Sequence, residues 1–195
     1  MRKTLPLTAA AVLAAGLATA TPAAADSIRG VVAEDPGAAA AVRAVSATGV
    51  PAASQLAALP ADFAAKEGYT PVARRFVLRA DGGCSAPFGT IALIPAALDD
   101  PCRAHDLGYD LLRYADARGH PLGAWARRAV DDAFARRARA ACASMPDGEH
   151  ATCRRAAAVA VAAVRVNSWR QRDAAPRPES AAGLVASWLT GGGRW

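Results

Sequence analysis

The residues best suited to chemistry lie in one short stretch, from Cys102 to Tyr109, which also holds a histidine and an aspartate. At the roughly 100° per residue of an α-helix, Cys102, His105 and Tyr109 share one stripe, and Asp106 lies about a quarter-turn away. Histidine is a base near neutral pH, and carboxylates bind hard cations. The stretch therefore predicts a helix that carries a base, with a candidate metal ligand beside it.

A second helix is needed to hold this histidine in position. The first helix is predicted from Pro101 to about Ala117, and a short turn leads into a second from Leu122 to about Ala143, so the two should be antiparallel neighbours. On the second helix Asp131 occupies an otherwise apolar face, which is costly unless the carboxylate is paired. We expect it to pair with His105, and Asp132 is the alternative. Because no serine or cysteine nucleophile accompanies the pair, it predicts a base that activates water.

The cysteine count indicates two disulfides if the chain is exported. The four cysteines are Cys84, Cys102, Cys142 and Cys153. Three pairings are possible, and the most local one, Cys84 with Cys102 and Cys142 with Cys153, is favoured. A zinc site is the alternative, but it lacks the close paired spacing typical of such sites. The favoured pairing would bring Asp81, Gly82 and Gly83 close to Asp106, where they could bind Ca²⁺.

Residues 1–25 have the features of a secretory signal peptide. A basic start is followed by an apolar run, and small residues precede a cleavage point after Ala25. A membrane anchor is the alternative, but the apolar run is short and alanine-rich. Cleavage would leave 21 basic and 17 acidic side chains. This modest positive charge suits an anionic surface.

The rest of the chain divides into three parts. Residues 26–58 are an alanine-rich extension or pro-segment, in which short helices and a loosely ordered leader are both possible. Residues 59–172 form the predicted catalytic domain, with a third long helix from Thr152 to about Arg170. Residues 173–195 read as a linker and a short apolar tail. Within the domain, residues 60–67 predict a helix ended by a glycine, and residues 72–79 an extended segment.

The stretch Cys102–Tyr109 resembles the C-x-x-H-D-x-G-Y helix of secreted phospholipase A2, and its spacing is most similar to the small bacterial and fungal branch. The resemblance runs from about Cys84 to Val164 and includes Val130–Phe134. It implies a mostly α fold. The core would be two antiparallel disulfide-linked helices and a third helix, with a calcium-binding loop and less ordered terminal extensions.

The resemblance also implies roles for individual residues. His105 would be the general base for water attack on the sn-2 ester of a glycerophospholipid, Asp131 would orient it, and Tyr109 would support the site. Asp106 would bind catalytic Ca²⁺ with the loop. In the bacterial branch the loop aspartate lies two residues before the cysteine, where this chain has Gly82. Asp81 is one residue further away, and a bulge at the glycines would restore its reach.

We therefore expect a secreted, monomeric, Ca²⁺-dependent phospholipase A2 that acts on a phospholipid membrane or micelle surface. The alternative is a non-catalytic Ca²⁺- or membrane-binding protein on the same scaffold. Nucleic acid is not an expected partner, given the export signal and modest charge. The second helix carries several arginines, which read as a solvated, salt-bridged face or as ligands for phosphate headgroups. They are Arg127, Arg128, Arg136, Arg137 and Arg139.

Overall fold

The computed structural model describes residues 32–85 and 94–179, and these residues are mostly α-helical. The elements are α1 (Pro36–Ser46), α2 (Ala52–Ala57), α3 (Phe63–Glu67), β1 (Val72–Ala73), β2 (Val77–Leu78), a 3₁₀ turn (Ala96–Leu98), α4 (Asp99–Ala117), α5 (Ala124–Ala143) and α6 (His150–Arg170). The mostly helical fold class predicted from the sequence is confirmed. The predicted signal peptide and most of the C-terminal tail lie outside the described residues.

The three long helices follow the predicted segments, with small differences at their starts. Helix α4 begins at Asp99, before the predicted Pro101, and Leu98 occupies the N-cap position. Asp99 and Asp100 therefore do not cap the helix. They lie in its first turn, where acidic side chains interact favourably with the helix dipole. Helix α6 likewise starts at His150, ahead of the predicted Thr152.

Helices α4 and α5 approach each other closely at Gly108. A Cβ atom at this position would lie only 2.5 Å from Cγ1 of Val130 on α5. The absent side chain therefore lets the two backbones come together, which brings His105 on α4 within reach of Asp131 on α5.

We expect Gly108→Ala to lower the free energy of unfolding by about 1–3 kcal/mol, because the added methyl group overpacks against Val130. Urea denaturation followed by circular dichroism measures the loss. Gly148→Ala is the matched control, since a Cβ atom there meets nothing within 4 Å. Equal stability of the two variants would show that α4 and α5 do not need this close approach.

Helix α1 belongs to the packed core. Asp35 caps it, with its Oδ1 accepting a hydrogen bond of 2.9 Å from the backbone N–H of Ala38. Val42 is fully buried and packs in one cluster with Phe63 of α3 and Leu111 of α4. Within residues 32–58, the helical interpretation holds for α1 and α2. The packed unit therefore begins well before residue 59.

The predicted extended segment at 72–79 is a small antiparallel hairpin. Val72 pairs with Leu78 and Ala73 with Val77. Beyond it, the backbone N–H of Arg79 donates to the carbonyl of Arg103 at 3.1 Å, which anchors the following loop to α4. The preceding helix, α3, ends as predicted at Gly68, which adopts a left-handed φ of 75°.

Both favoured disulfides are present. Cys84 bonds to Cys102, which joins the loop to the first turns of α4. Cys142 bonds to Cys153, which joins the end of α5 to the start of α6. Cys102, Cys142 and Cys153 lie in a second apolar cluster that includes Phe134. Across the described part of the chain, the helices lack the combination of length and hydropathy needed to cross a membrane.

Candidate active site

The helices α4 and α5 bring His105 and Asp131 together, as their helical phase predicts. Nε2 of His105 lies 2.9 Å from Oδ1 of Asp131. The two residues are only 7% and 3% exposed, respectively. The alternative partner, Asp132, instead forms an exposed 2.9 Å ion pair with Arg165 of α6. The structure therefore pairs the histidine with Asp131.

Asp131 is held by two further side chains. The hydroxyl of Tyr109 donates to its Oδ1 at 2.9 Å, and the hydroxyl of Ser168 donates to its Oδ2 at 2.5 Å. Burial, followed by the nearby charge of Asp131, raises the pKa of Tyr109 to about 12, so the phenol remains a proton donor at neutral pH. With both oxygens engaged, the carboxylate is fixed in orientation and can in turn fix the imidazole.

The histidine ring is also held by aromatic contacts. Its centroid lies 4.0 Å from that of the Tyr109 ring and 5.1 Å from that of Phe134. Tyr109 therefore contributes twice, once by packing against the base and once by donating to Asp131. This is the supporting position predicted for it.

Two members of this cluster, Arg127 and Ser168, are not predicted from the sequence. Arg127 is fully buried, so the interpretation of the arginines as a solvated face is wrong at this position. Its Nε donates to Oγ of Ser168 at 2.8 Å, and its guanidinium lies 4.9 Å above the Tyr109 ring. A signal for Arg127 existed, because it precedes Asp131 by four residues and so shares its helix face. Ser168 lies on α6 and carries no comparable signal.

Asp106 lies against the glycine loop. Its Oδ2 accepts a 2.9 Å hydrogen bond from the backbone N–H of Gly83, and a Cβ atom at Gly82 would lie 2.7 Å from the same oxygen. Burial raises the pKa of the Asp106 carboxyl above its usual range. A desolvated carboxylate of this kind gains from a nearby cation. Asp106 is therefore a residue that could serve as a carboxylate ligand for Ca²⁺ beside the glycine loop.

Asp81 does not supply the second charged ligand in this conformation. Its carboxylate pairs with Arg79 at 3.0 Å, and its side chain is 62% exposed. Arg79 also binds the buried Asp110 at 3.2 Å, which ties the arginine to α4. Among residues 32–85 and 94–179 there is no group of three or more His, Cys, Asp or Glu side chains that could hold a metal ion. In the described part of the loop, Asp106 therefore contacts the backbone of Gly83, and Asp81 is engaged by Arg79.

Comparison with protein-family models, with curated proteins and with solved structures finds no match for this chain. The chemistry of the site must therefore be inferred from its own residues. These are a buried histidine–aspartate pair, braced by a tyrosine and a serine, next to a desolvated carboxylate.

Proposed function

We propose that the protein is a secreted phospholipase A2, which hydrolyses the sn-2 ester of glycerophospholipids with His105 as the general base. The observation that carries this proposal is the 2.9 Å contact between Nε2 of His105 and Oδ1 of Asp131 in a buried site. The export signal and the sequence pattern around Cys102–Tyr109 support it. The substrate surface would be a phospholipid membrane or micelle, and the enzyme would act as a monomer.

The proposed reaction depends on which ring nitrogen of His105 carries the proton. In the proposed tautomer, the N–H at Nε2 donates a hydrogen bond to Asp131, and Nδ1 carries a lone pair. None of the described residues forms a hydrogen bond with Nδ1. Nδ1 can take a proton from water while the water oxygen attacks the ester carbonyl carbon. The imidazolium that forms is stabilised by Asp131. It then returns the proton to the leaving glycerol oxygen as the ester C–O bond breaks, which releases the fatty acid.

A cation would be held by Asp106 together with backbone oxygens of Gly82 and Gly83. Bound Ca²⁺ would stabilise the negative charge that develops on the ester carbonyl oxygen. Asp106 directly follows His105 in α4, and the Cys84–Cys102 disulfide secures the loop beside it. Because Asp106 is the one carboxylate in this proposed ligand set, we expect weak Ca²⁺ affinity, since affinity depends on the number of charged ligands.

We expect Gly82→Asp to bind Ca²⁺ about tenfold or more tightly than Gly82→Asn, because the Cβ atom displaces Asp106 equally in both variants and only the first adds a second carboxylate. Without Ca²⁺, the two carboxylates should repel each other and lower the melting temperature. Calorimetric titration with Ca²⁺ and thermal denaturation with and without Ca²⁺ measure both effects. Gly82→Asn is the matched control, since it adds the same bulk without the charge. Identical Ca²⁺ affinity of all three proteins would place the cation elsewhere.

The alternative is a non-catalytic protein that binds Ca²⁺ or a membrane on the same scaffold. The ion pair between Asp81 and Arg79 favours it, because this pair engages the loop carboxylate that a catalytic Ca²⁺ site would use. Such a protein would bind Ca²⁺ or vesicles and release no fatty acid.

Fatty-acid release from mixed phospholipid vesicles, with Ca²⁺ and with a chelator, separates the two functions. We expect release with Ca²⁺ that the chelator abolishes, and Asp106→Asn should lower it by at least about a hundredfold if the carboxylate holds the cation. Equal release in both conditions would reject the Ca²⁺ dependence. Binding without release would favour the alternative. Full activity of Asp106→Asn would reject the proposed cation site.

A further inference from the structure

A cavity of about 470 Å³ lies between the α1–α2 turn, the hairpin and one face of α5. Its volume falls within the range of small-molecule sites. Ala140 lines it, and Ala140 lies half a turn around α5 from Asp131, so the cavity is separate from the candidate active site. Phe76, Ala133 and Pro101 give it apolar walls.

Three arginines line this cavity: Arg75 from the hairpin, and Arg136 and Arg137 from α5. Nη2 of Arg136 donates to the carbonyl of Ser46 at 2.6 Å, and Arg137 donates to the carbonyl of Val45. These contacts hold the two guanidinium groups at the C-terminal end of α1. Each guanidinium has five N–H donors, so most of them remain for another partner.

Within the described ranges, no carboxylate forms an ion pair with any of the three arginines. The acidic side chain in the cavity lining, Asp100, is paired with Arg74 at 3.4 Å. Burial and the neighbouring Arg136 lower the pKa of Arg137 to about 10, which leaves it charged at neutral pH. The cavity therefore holds positive charge that described acidic groups do not balance.

Ser46 also lines the cavity, and its carbonyl is the group that accepts the hydrogen bond from Arg136. A bound anion would therefore meet the remaining guanidinium donors of the three arginines, which are the positively charged groups of this lining.

We propose that this cavity binds the anionic end of a small amphiphile, a carboxylate or phosphate group attached to a short apolar chain. Arg75, Arg136 and Arg137 pair with the anion. The apolar chain lies against Phe76 and Ala140. The proposal requires no ester chemistry, so it is independent of the function proposed for His105.

Equilibrium titration of the full secreted protein tests this site. The probes are octanoate and octyl phosphate, both below their micelle-forming concentrations, with inorganic phosphate and octanol for comparison. We expect saturable 1:1 binding of one or both charged amphiphiles, weakened by added salt, and weaker binding of phosphate and octanol. Tighter binding of octanoate would identify a fatty acid as the source of the ligand, and tighter binding of octyl phosphate would identify a phosphate-bearing molecule.

Arg75→Gln and Arg136→Gln should each weaken binding of the charged amphiphile by about tenfold, the usual effect of losing one charged hydrogen bond. Arg139→Gln is the matched control, because Arg139 is an exposed arginine on α5 outside this cavity. Thermal denaturation verifies that each variant folds.

Three results would overturn the proposal. They are no saturable binding to the unmodified protein, octanol binding as tightly as the charged probes, and a loss of affinity in Arg139→Gln as large as that in Arg75→Gln and Arg136→Gln. Because the readout is binding of molecules that contain no carboxylic ester, inactivity toward phospholipid vesicles would leave this outcome unaffected.

Discussion

Replacing His105 by glutamine should reduce fatty-acid release from vesicles by about a thousandfold, within the range typical of a lost general base. Glutamine keeps a side-chain N–H that can donate to Asp131, but it has no nitrogen that accepts a proton from water. The buried cluster around Asp131 should therefore stay intact while the chemical step fails. Initial rates at saturating Ca²⁺, normalised to folded protein, measure the loss.

His120→Gln provides the matched control for this prediction. His120 is exposed and contacts the carbonyl of Ala33 through Nδ1 at 2.9 Å. The His120→Gln protein should retain full activity. If His105→Gln also retained full activity while its circular dichroism spectrum was unchanged, His105 would not be the base.

Replacing Arg127 by methionine is expected to lower the free energy of unfolding by about 1.5–3 kcal/mol, the usual contribution of a hydrogen bond to a charged group. Arg127 is fully buried, and it binds Ser168, Gln171 and the carbonyl of Ala174. Methionine fills similar space, so the loss would come from the charge and its hydrogen bonds. A loss of this size is a large share of the stability of a typical domain.

Arg128→Met is the matched control, since Arg128 is the next residue and forms an exposed 2.7 Å ion pair with Asp173. Loss of this exposed ion pair should lower the free energy of unfolding by less than about 1 kcal/mol. Urea denaturation of the three proteins compares the costs. Similar midpoints for the two variants would show that the buried guanidinium makes little net contribution to stability.

The long helices and the pairing of His105 with Asp131 could be predicted because helical periodicity records which side chains share a face. The phase of α5 was enough to separate Asp131 from Asp132. Local disulfides were predictable for a related reason, since a short spacing leaves few competing partners. Each of these predictions depends on residues close in sequence or on a single pair of facing helices.

The features that were missed depend on contacts that local sequence does not encode. Arg127 looked like a solvated arginine, because only the arrival of α6 covers it and supplies Ser168. The sequence leaves helix α1 open as a possible leader, since its alanine-rich run is flanked and interrupted by glycine and proline residues. Asp81 was expected near Asp106, and its ion pair with Arg79 depends on where the loop crosses α4.

The packing of α1 has a consequence for how the chain folds. Its terminal carbonyls at Val45 and Ser46 accept hydrogen bonds from residues on α5 that lie 92 and 90 positions later in sequence. Contacts of such high sequence separation close large loops, and they form slowly compared with local helical contacts. A chain that emerges in order from its N-terminus therefore cannot complete its core until α5 has followed. During that interval the apolar side of α1, including Val42, lacks its native cover.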